Sequence, residues 1–128
     1  MKKSSGCPFC DLSYDRIIHA SENGIVMRDG YPISRGHSLI IPKLHYRDFF
    51  SLPEHIRKEL FQLIDIAKAE LDDELNPNGY NIGINSGRAA GQTVPHLHIH
   101  LIPRFTGDMD DPRGGVRWIF PEKAKYWA

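Results

Sequence analysis

The sequence predicts an α+β fold: a five-stranded antiparallel sheet with one main helix packed on a face. Three observations carry that prediction. Five short segments have the apolar or alternating pattern of strands. A single long stretch repeats its apolar positions at helical spacing. Few connections are long enough for crossover helices, so neighbouring strands must run antiparallel.

The elements follow in chain order. "DRIIHASENGIVMRDG" reads as two strands joined around Asn23-Gly24, a pair that supplies the positive φ values of a tight hairpin. "GHSLIIP" (Gly36 to Pro42) is a third strand, stopped by Pro42. The helix is expected over Ser51 to Leu75, opened by a Ser51/Glu54 capping box. Its buried stripe is Ile56, Leu60, Leu63, Ile64, Ala67 and Leu71. "NPNG" (Asn76 to Gly79) ends it. "YNIGIN" (Tyr80 to Asn85) is the fourth strand and Thr93 to Ile102 the fifth. At 128 residues the chain is read as one domain over 1–128, with an N-terminal CxxC segment over 1–12 and a tail over 105–128. The tail aromatics Trp118, Phe120, Tyr126 and Trp127 are expected to pack on the domain or on a partner subunit.

Charge narrows the class of partner. Sixteen basic and sixteen acidic residues cancel, so the global field that holds nucleic acid or an anionic membrane is absent, while a local phosphate site stays open. No run approaches the ~20 apolar residues of a membrane span, and "MKKSSGCPFC" is too poor in apolar residues for a signal peptide. A soluble, cytoplasmic protein is expected. In a reducing compartment, Cys7 and Cys10 at CxxC spacing suggest metal ligation or redox chemistry ahead of a structural disulfide.

"PHLHIHLIPR" (Pro95 to Arg104) carries the most chemistry. Side chains at i, i+2 and i+4 of a strand share a face, so His96, His98 and His100 line one side while Leu97, Ile99 and Leu101 enter the core. One metal ion held by all three is disfavoured: the ends of the row lie about 13 Å apart, against ligand distances of about 2 Å on zinc. Nucleophilic chemistry on phosphate suits the row better. A free imidazole is about three-quarters neutral at pH 7, whereas only about one lysine in 2,500 is uncharged. Histidine can therefore attack phosphorus without a separate base, and the phosphorus–nitrogen bond so formed breaks readily. Neighbouring imidazoles can donate to the phosphate oxygens. The preceding "INSGRAAGQTVPH" is rich in small residues, so its backbone N–H groups can approach an anion closely.

These stretches resemble the histidine triad (HIT) family, whose signature is three His alternating with apolar residues, and the CxxC marks the bacterial type. The likeness covers "RDGYPISRGHSLIIPKLH" (Arg28 to His45), "NSGRAAGQTVPHLHIHLIPR" (Asn85 to Arg104) and "DPRGGVRWIFPEKAKYW". It implies a homodimer joined into a larger sheet. It also implies a hydrolase or nucleotidyl transferase, acting at the α-phosphate of a dinucleoside polyphosphate or nucleoside phosphoramidate through a nucleotidyl-histidine. By the same resemblance His98 is the nucleophile, and His100, Gln92 and Thr93 contact the phosphate. Asp29 binds the ribose, Asn85 lies on the substrate side, and His37 is the additional histidine near the triad. Phe9, Ile18 and Met27 form the base pocket for a purine nucleotide or dinucleotide. Arg104 after "LIP" points to dinucleoside polyphosphates ahead of phosphoramidates. The likeness further implies a structural Zn²⁺ on Cys7, Cys10, His45 and His96, with no organic cofactor; a free thiol pair and a redox motif are the alternatives. A nucleotide-binding regulatory module with little turnover is the rival functional class, and a metalloenzyme using the histidine row is a third.

Overall fold

The computed structural model describes residues 6–128; residues 1–5 of the N-terminal segment lie outside the described residues. Five strands, β1 (Ile17–Ala20), β2 (Gly24–Arg28), β3 (Ser38–Pro42), β4 (Gly79–Ile84) and β5 (Ile99–Arg104), form one sheet in the order β1-β2-β3-β5-β4. Every neighbouring pair is antiparallel, and one long helix, α1 (Glu54–Leu75), covers one face. The expected α+β architecture is present. No helix of the described residues is long and apolar enough to cross a membrane.

The helix forms where the apolar repeat placed it. Ile56, Leu60, Leu63, Ala67 and Leu71 are buried along one stripe, with Ile64 half-buried beside them. They meet Val26, Ile40, Leu97, Ile99 and Leu101 from the sheet. A fully buried Leu or Ile side chain contributes about 1.5–3 kcal/mol, so this layer is the main cohesive element. The other sheet face holds a second apolar cluster, Ile25, Met27, Leu39 and Ile41, packed against Phe9, Leu12 and Ile17.

Several local expectations are corrected. Pro53, which offers no side-chain cap, precedes the first turn of α1. Ser51 belongs instead to a short 3-10 turn (Phe49–Ser51) capped by Asp48, whose carboxylate accepts from the Phe50 and Ser51 N–H groups. Pro at position 53 fixes an extended φ/ψ and restarts the chain, so the capping box forms one turn earlier. The helix stops where expected: Asn76 takes the left-handed conformation (φ 47°) as its C-cap. Neither Asn23 nor Gly24 has positive φ. The hairpin uses side chains instead: Glu59 of α1 accepts from the Ser21 hydroxyl, the Asn23 N–H (2.6 Å) and the Asn23 side-chain amide (2.9 Å). Glycine at 24 lets α1 come close, since a Cβ there would lie 2.5 Å from Leu63 Cδ1 and 2.8 Å from Leu60 Cδ2 and would force these buried side chains to shift.

The tail folds locally. A 3-10 turn (Gly115–Ile119) leads into a single helical turn, α2 (Pro121–Ala124), and Arg117 donates to the Lys123 and Ala124 carbonyls. Trp118 and Trp127 are half-buried, while Phe120 and Tyr126 stay exposed.

Gly24→Ala is expected to destabilise by about 1–3 kcal/mol through overpacking. Gly79→Ala, where an added Cβ meets nothing within 4 Å, should stay within about 0.5 kcal/mol. Urea unfolding of the two variants checks both.

Candidate active site

The histidine row lies on the sheet face opposite α1. Only its last member is in the ladder: β5 starts at Ile99, His96 ends the preceding bend and His98 lies in the unpaired link between them. Alternation nevertheless holds, with Leu97, Ile99 and Leu101 fully buried toward α1. The strand starts later than expected because bends at Val94 to His96 delay pairing, and the Leu97 N–H bonds instead to the Tyr46 carbonyl at 2.7 Å.

A cavity of about 580 Å³ opens on this face. His98 and His100 form its floor, Asp29, His37 and Leu39 one side, and Gly83, Asn85, Gly91 and Thr93 the other; Phe9 also lines it. Gly83 pairs with His100 across the ladder, and an added Cβ there would meet nothing. The missing side chain leaves the approach to His100 open.

Each ring is held in one orientation by a partner whose hydrogen-bonding role is fixed. A carbonyl only accepts, so His98 must donate through Nδ1 to the His96 carbonyl (2.9 Å), leaving a lone pair on Nε2 in the neutral ring. His96 likewise donates through Nε2 to the Pro42 carbonyl (2.9 Å), leaving its lone pair on Nδ1. His100 is set at one remove. The Ile33 N–H donates to His37 Nδ1 (3.2 Å), so His37 carries its proton on Nε2 and donates to His100 Nδ1 (2.9 Å). His100 is left with its N–H on Nε2. Asp29, its side chain 15% exposed, lies 3.4 Å from His37 Nε2 and 3.8 Å from His100 Nδ1, and it accepts from the Tyr31 N–H.

Burial pushes the pKa of His100 down to about 4, helped by the neighbouring His98 and His37 and opposed by Asp29. Burial also lowers His37, again opposed by Asp29, and takes His96 down to about 4. These rings are neutral at pH 7, as the hydrogen-bond pattern requires.

His96 has a second set of neighbours. Its Nδ1 lies 3.4 Å from Cys7 Sγ and 3.5 Å from Cys10 Sγ, and His45 Nδ1 lies 3.4 Å from Cys10 Sγ. The four donor atoms fall within 4.8 Å of one another. A tetrahedral zinc with Zn–S of about 2.3 Å and Zn–N of about 2.0–2.1 Å has S···N edges of about 3.5 Å. The cluster therefore fits such an ion, and His96 turns its unprotonated nitrogen into it.

Asp29, His37, Asn85, Thr93, His98 and His100 thus gather at one cavity, and Cys7, Cys10, His45 and His96 at an adjacent one. Two expected residues stand elsewhere. Gln92 does not line the cavity: its Oε1 accepts from the Gly87 N–H (2.8 Å) and its Nε2 donates to the Arg47 and Val94 carbonyls (2.6 and 3.1 Å). Its amide ties the loop together, and Gln92 lines the adjacent groove with Thr93. Ile18 is 41% exposed on the outer side of the β1 edge, and Ile17 packs inward in its place beside Phe9; the bulge between Ile17 and His19 resets the facing. Met27 is buried on the same sheet face, next to Leu39, and does not line the cavity. Arg104, held by Asn81 and a bidentate pair with Asp108, lies outside the cavity. Sequence reasoning missed Ile33 and Tyr31, which line the cavity; Ile33 acts through a backbone N–H that no side-chain pattern reveals.

Residues 12–107 match the HIT domain family. The chain is 37% identical over 108 residues to an uncharacterized HIT-like protein of Methanocaldococcus jannaschii, across 80% of this chain and 81% of that protein. It is 31% identical over 106 residues to the adenylylsulfatase HINT3 of Arabidopsis thaliana, across 80% of this chain and 54% of that protein. Among solved structures, a zinc-bound histidine triad family protein from Mycobacterium smegmatis aligns at a TM-score of 0.72 and 36% identity, over 80% of this chain and 78% of that one.

The depressed pKa of His100 makes stability depend on acid. An unfolded imidazole titrates near 6.5, so between that value and about 4 the unfolded chain holds a proton the folded chain does not. The contribution is fully present above about pH 6.5 and is lost as pH falls, by up to about 1.4 kcal/mol per pH unit. His100→Gln should flatten this slope in urea titrations from pH 7 to 4.

Proposed function

The chain belongs to the HIT family, and on that premise we propose that it is a nucleotide hydrolase or nucleotidyl transferase acting at an α-phosphate through a nucleotidyl intermediate on His98. The observation that supports this reading is the direction in which His98 is held. Its Nδ1–H is committed to the His96 carbonyl, so the ring keeps its unprotonated Nε2 for a ligand in the cavity it lines.

The steps follow from the three fixed rings. The Nε2 lone pair of His98 forms a bond to the α-phosphorus, the bridging bond to the leaving group breaks, and that bond's electron pair departs on the leaving atom. A polyphosphate leaves as an anion and takes no proton; an amine takes one from solvent as it leaves. His100, with its Nε2–H, donates to a non-bridging oxygen as charge builds there. Water then forms the new oxygen–phosphorus bond, the phosphorus–nitrogen pair returns to Nε2, and the water's proton goes to solvent. Another nucleophile in place of water gives transfer. In this reading Asp29 takes the ribose hydroxyls, Phe9 and Leu39 the base, and Thr93 and Asn85 the phosphate side; all five line the cavity. His37 is a positioning residue that fixes the His100 tautomer.

The same reading assigns zinc to Cys7, Cys10, His45 and His96, supported by the donor spacing and by the zinc-bound relative. With all four donors from the chain, such an ion supplies a structural cross-link and no open coordination position. We extend the reading to a homodimer, since β4 is an edge strand with Ile82 56% exposed.

His98→Ala is expected to lower turnover of diadenosine tetraphosphate roughly 10³-fold or more. It should also abolish the labelled nucleotidyl-enzyme seen on rapid alkaline denaturation with an α-phosphate label. Retention of the labelled adduct in this variant rejects the assignment. For the metal, elemental analysis should find about one zinc per chain. Cys7→Ser should lose the zinc and several kcal/mol of stability, on the order of what small structural sites contribute.

A further inference from the structure

We propose that a second groove, built by Arg47 and Arg88 beside the histidine cavity, binds the polyphosphate portion of the substrate's leaving group and so selects nucleoside polyphosphates. The inference rests on the reading of the histidine cavity above and names its substrate class. The groove has a volume of about 560 Å³ and is lined by Arg47, Arg88, Gly91, Gln92, Thr93 and Pro95, with Gly87. Gly91 and Thr93 line the histidine cavity as well, so the two spaces share a wall.

Available guanidinium groups distinguish these two arginines: Arg16, Arg57 and Arg117 donate to main-chain carbonyls and Arg35 lies over the Phe105 ring. Arg28 pairs with Glu74, Arg104 with Asp108, and Arg113 with Asp111. Among the described residues no carboxylate lies within ion-pair distance of Arg47 or Arg88. Asp48, the nearest acidic residue in sequence to Arg47, spends one oxygen on the N–H groups of Phe50 and Ser51 and does not line the groove. Guanidinium forks match phosphate oxygens bidentately, and two in one groove suit an extended chain of phosphates better than a single oxyanion.

The groove is built, and Gln92 builds it. Its Oε1 accepts from the Gly87 N–H and its Nε2 donates to the Arg47 carbonyl. One side chain thereby ties the segment bearing Arg88 to the segment bearing Arg47. Direction agrees with the chemistry. The apolar end of the cavity and Asp29 lie toward β2 and β3, across β5 from β4 and the Gly-rich loop. A nucleoside seated at the first end, with its α-phosphorus over His98, sends its leaving group toward the loop. The rival groove, around Arg104, has its guanidinium already neutralised by Asp108.

The test compares wild-type chain with the Arg47→Gln/Arg88→Gln double variant. Two substrates are used: diadenosine tetraphosphate, which releases a nucleoside triphosphate, and adenosine 5′-phosphoramidate, which releases ammonia. The ratio of kcat/KM for the first to that for the second should fall roughly 10- to 100-fold in the variant. A ratio that holds within about twofold overturns the proposal, and a folding defect cancels from it. Calorimetric binding of inorganic tripolyphosphate provides an arm independent of turnover. Binding should weaken roughly 10-fold in the double variant and persist in His98→Ala. Unchanged binding in the double variant overturns the groove even if turnover is found. Loss there without any nucleotidyl-enzyme in wild type keeps the groove and rejects the catalytic reading.

Discussion

The site depends on one kind of interaction: a ring nitrogen of each triad histidine bonded to a partner whose role is fixed, so that the other nitrogen is left for chemistry. Two of these partners are main-chain carbonyls, of Pro42 and His96. The third is His37, itself oriented by the Ile33 N–H. An imidazole free to rotate or exchange tautomers would present lone pair and N–H interchangeably. Held this way, the row presents a lone pair at His96, a lone pair at His98 and an N–H at His100. A strand's two-residue repeat supplies the common face; the backbone partners differentiate the roles.

That differentiation divides one face into two sites. His96 is fully buried and turned toward Cys7, Cys10 and His45, while His98 and His100 border the cavity. The cluster also shapes the cavity, because Phe9 lies between the two cysteines in sequence. Its ring meets those of His96 and His98 with centroids 5.7 and 5.1 Å away. Anchoring Cys7 and Cys10 against His96 and His45 therefore sets an apolar wall next to His98. That wall keeps water from one side of the ring, where a neutral, weakly solvated nitrogen serves best.

Much of this was legible in the chain. The apolar stripe of α1 and the five strand segments rest on periodicities that burial enforces, and apart from the late start of β5 they stand within a few residues of their expected bounds. What failed were choices decided by tertiary partners. Ser51 and Glu54 have a capping-box spacing, but Pro53 between them settles the backbone. Asn23-Gly24 has the composition of a positive-φ turn, yet Gly24 is there because Leu60 and Leu63 come too close for a Cβ, and Asn23 because Glu59 receives it. Gln92 has the residue type of a phosphate ligand, and the sequence does not show that its amide also ties Gly87, in its own loop, to Arg47, distant in sequence. Ile18 and Ile17 differ only by a bulge, which a single strand does not announce.

The Gln92 result changes how the Gly-rich loop works. A loop of small residues is soft, and an anion site made only from its N–H groups would have to be ordered at each binding event. Gln92 supplies that order in advance by bonding across the loop from Gly87 to Arg47 and Val94. Its amide suits the task, since one end accepts from an N–H while the other donates to two carbonyls, and it brings no negative charge to compete with an incoming phosphate. Rigidity of the loop and reach of the arginines then come from the same three hydrogen bonds.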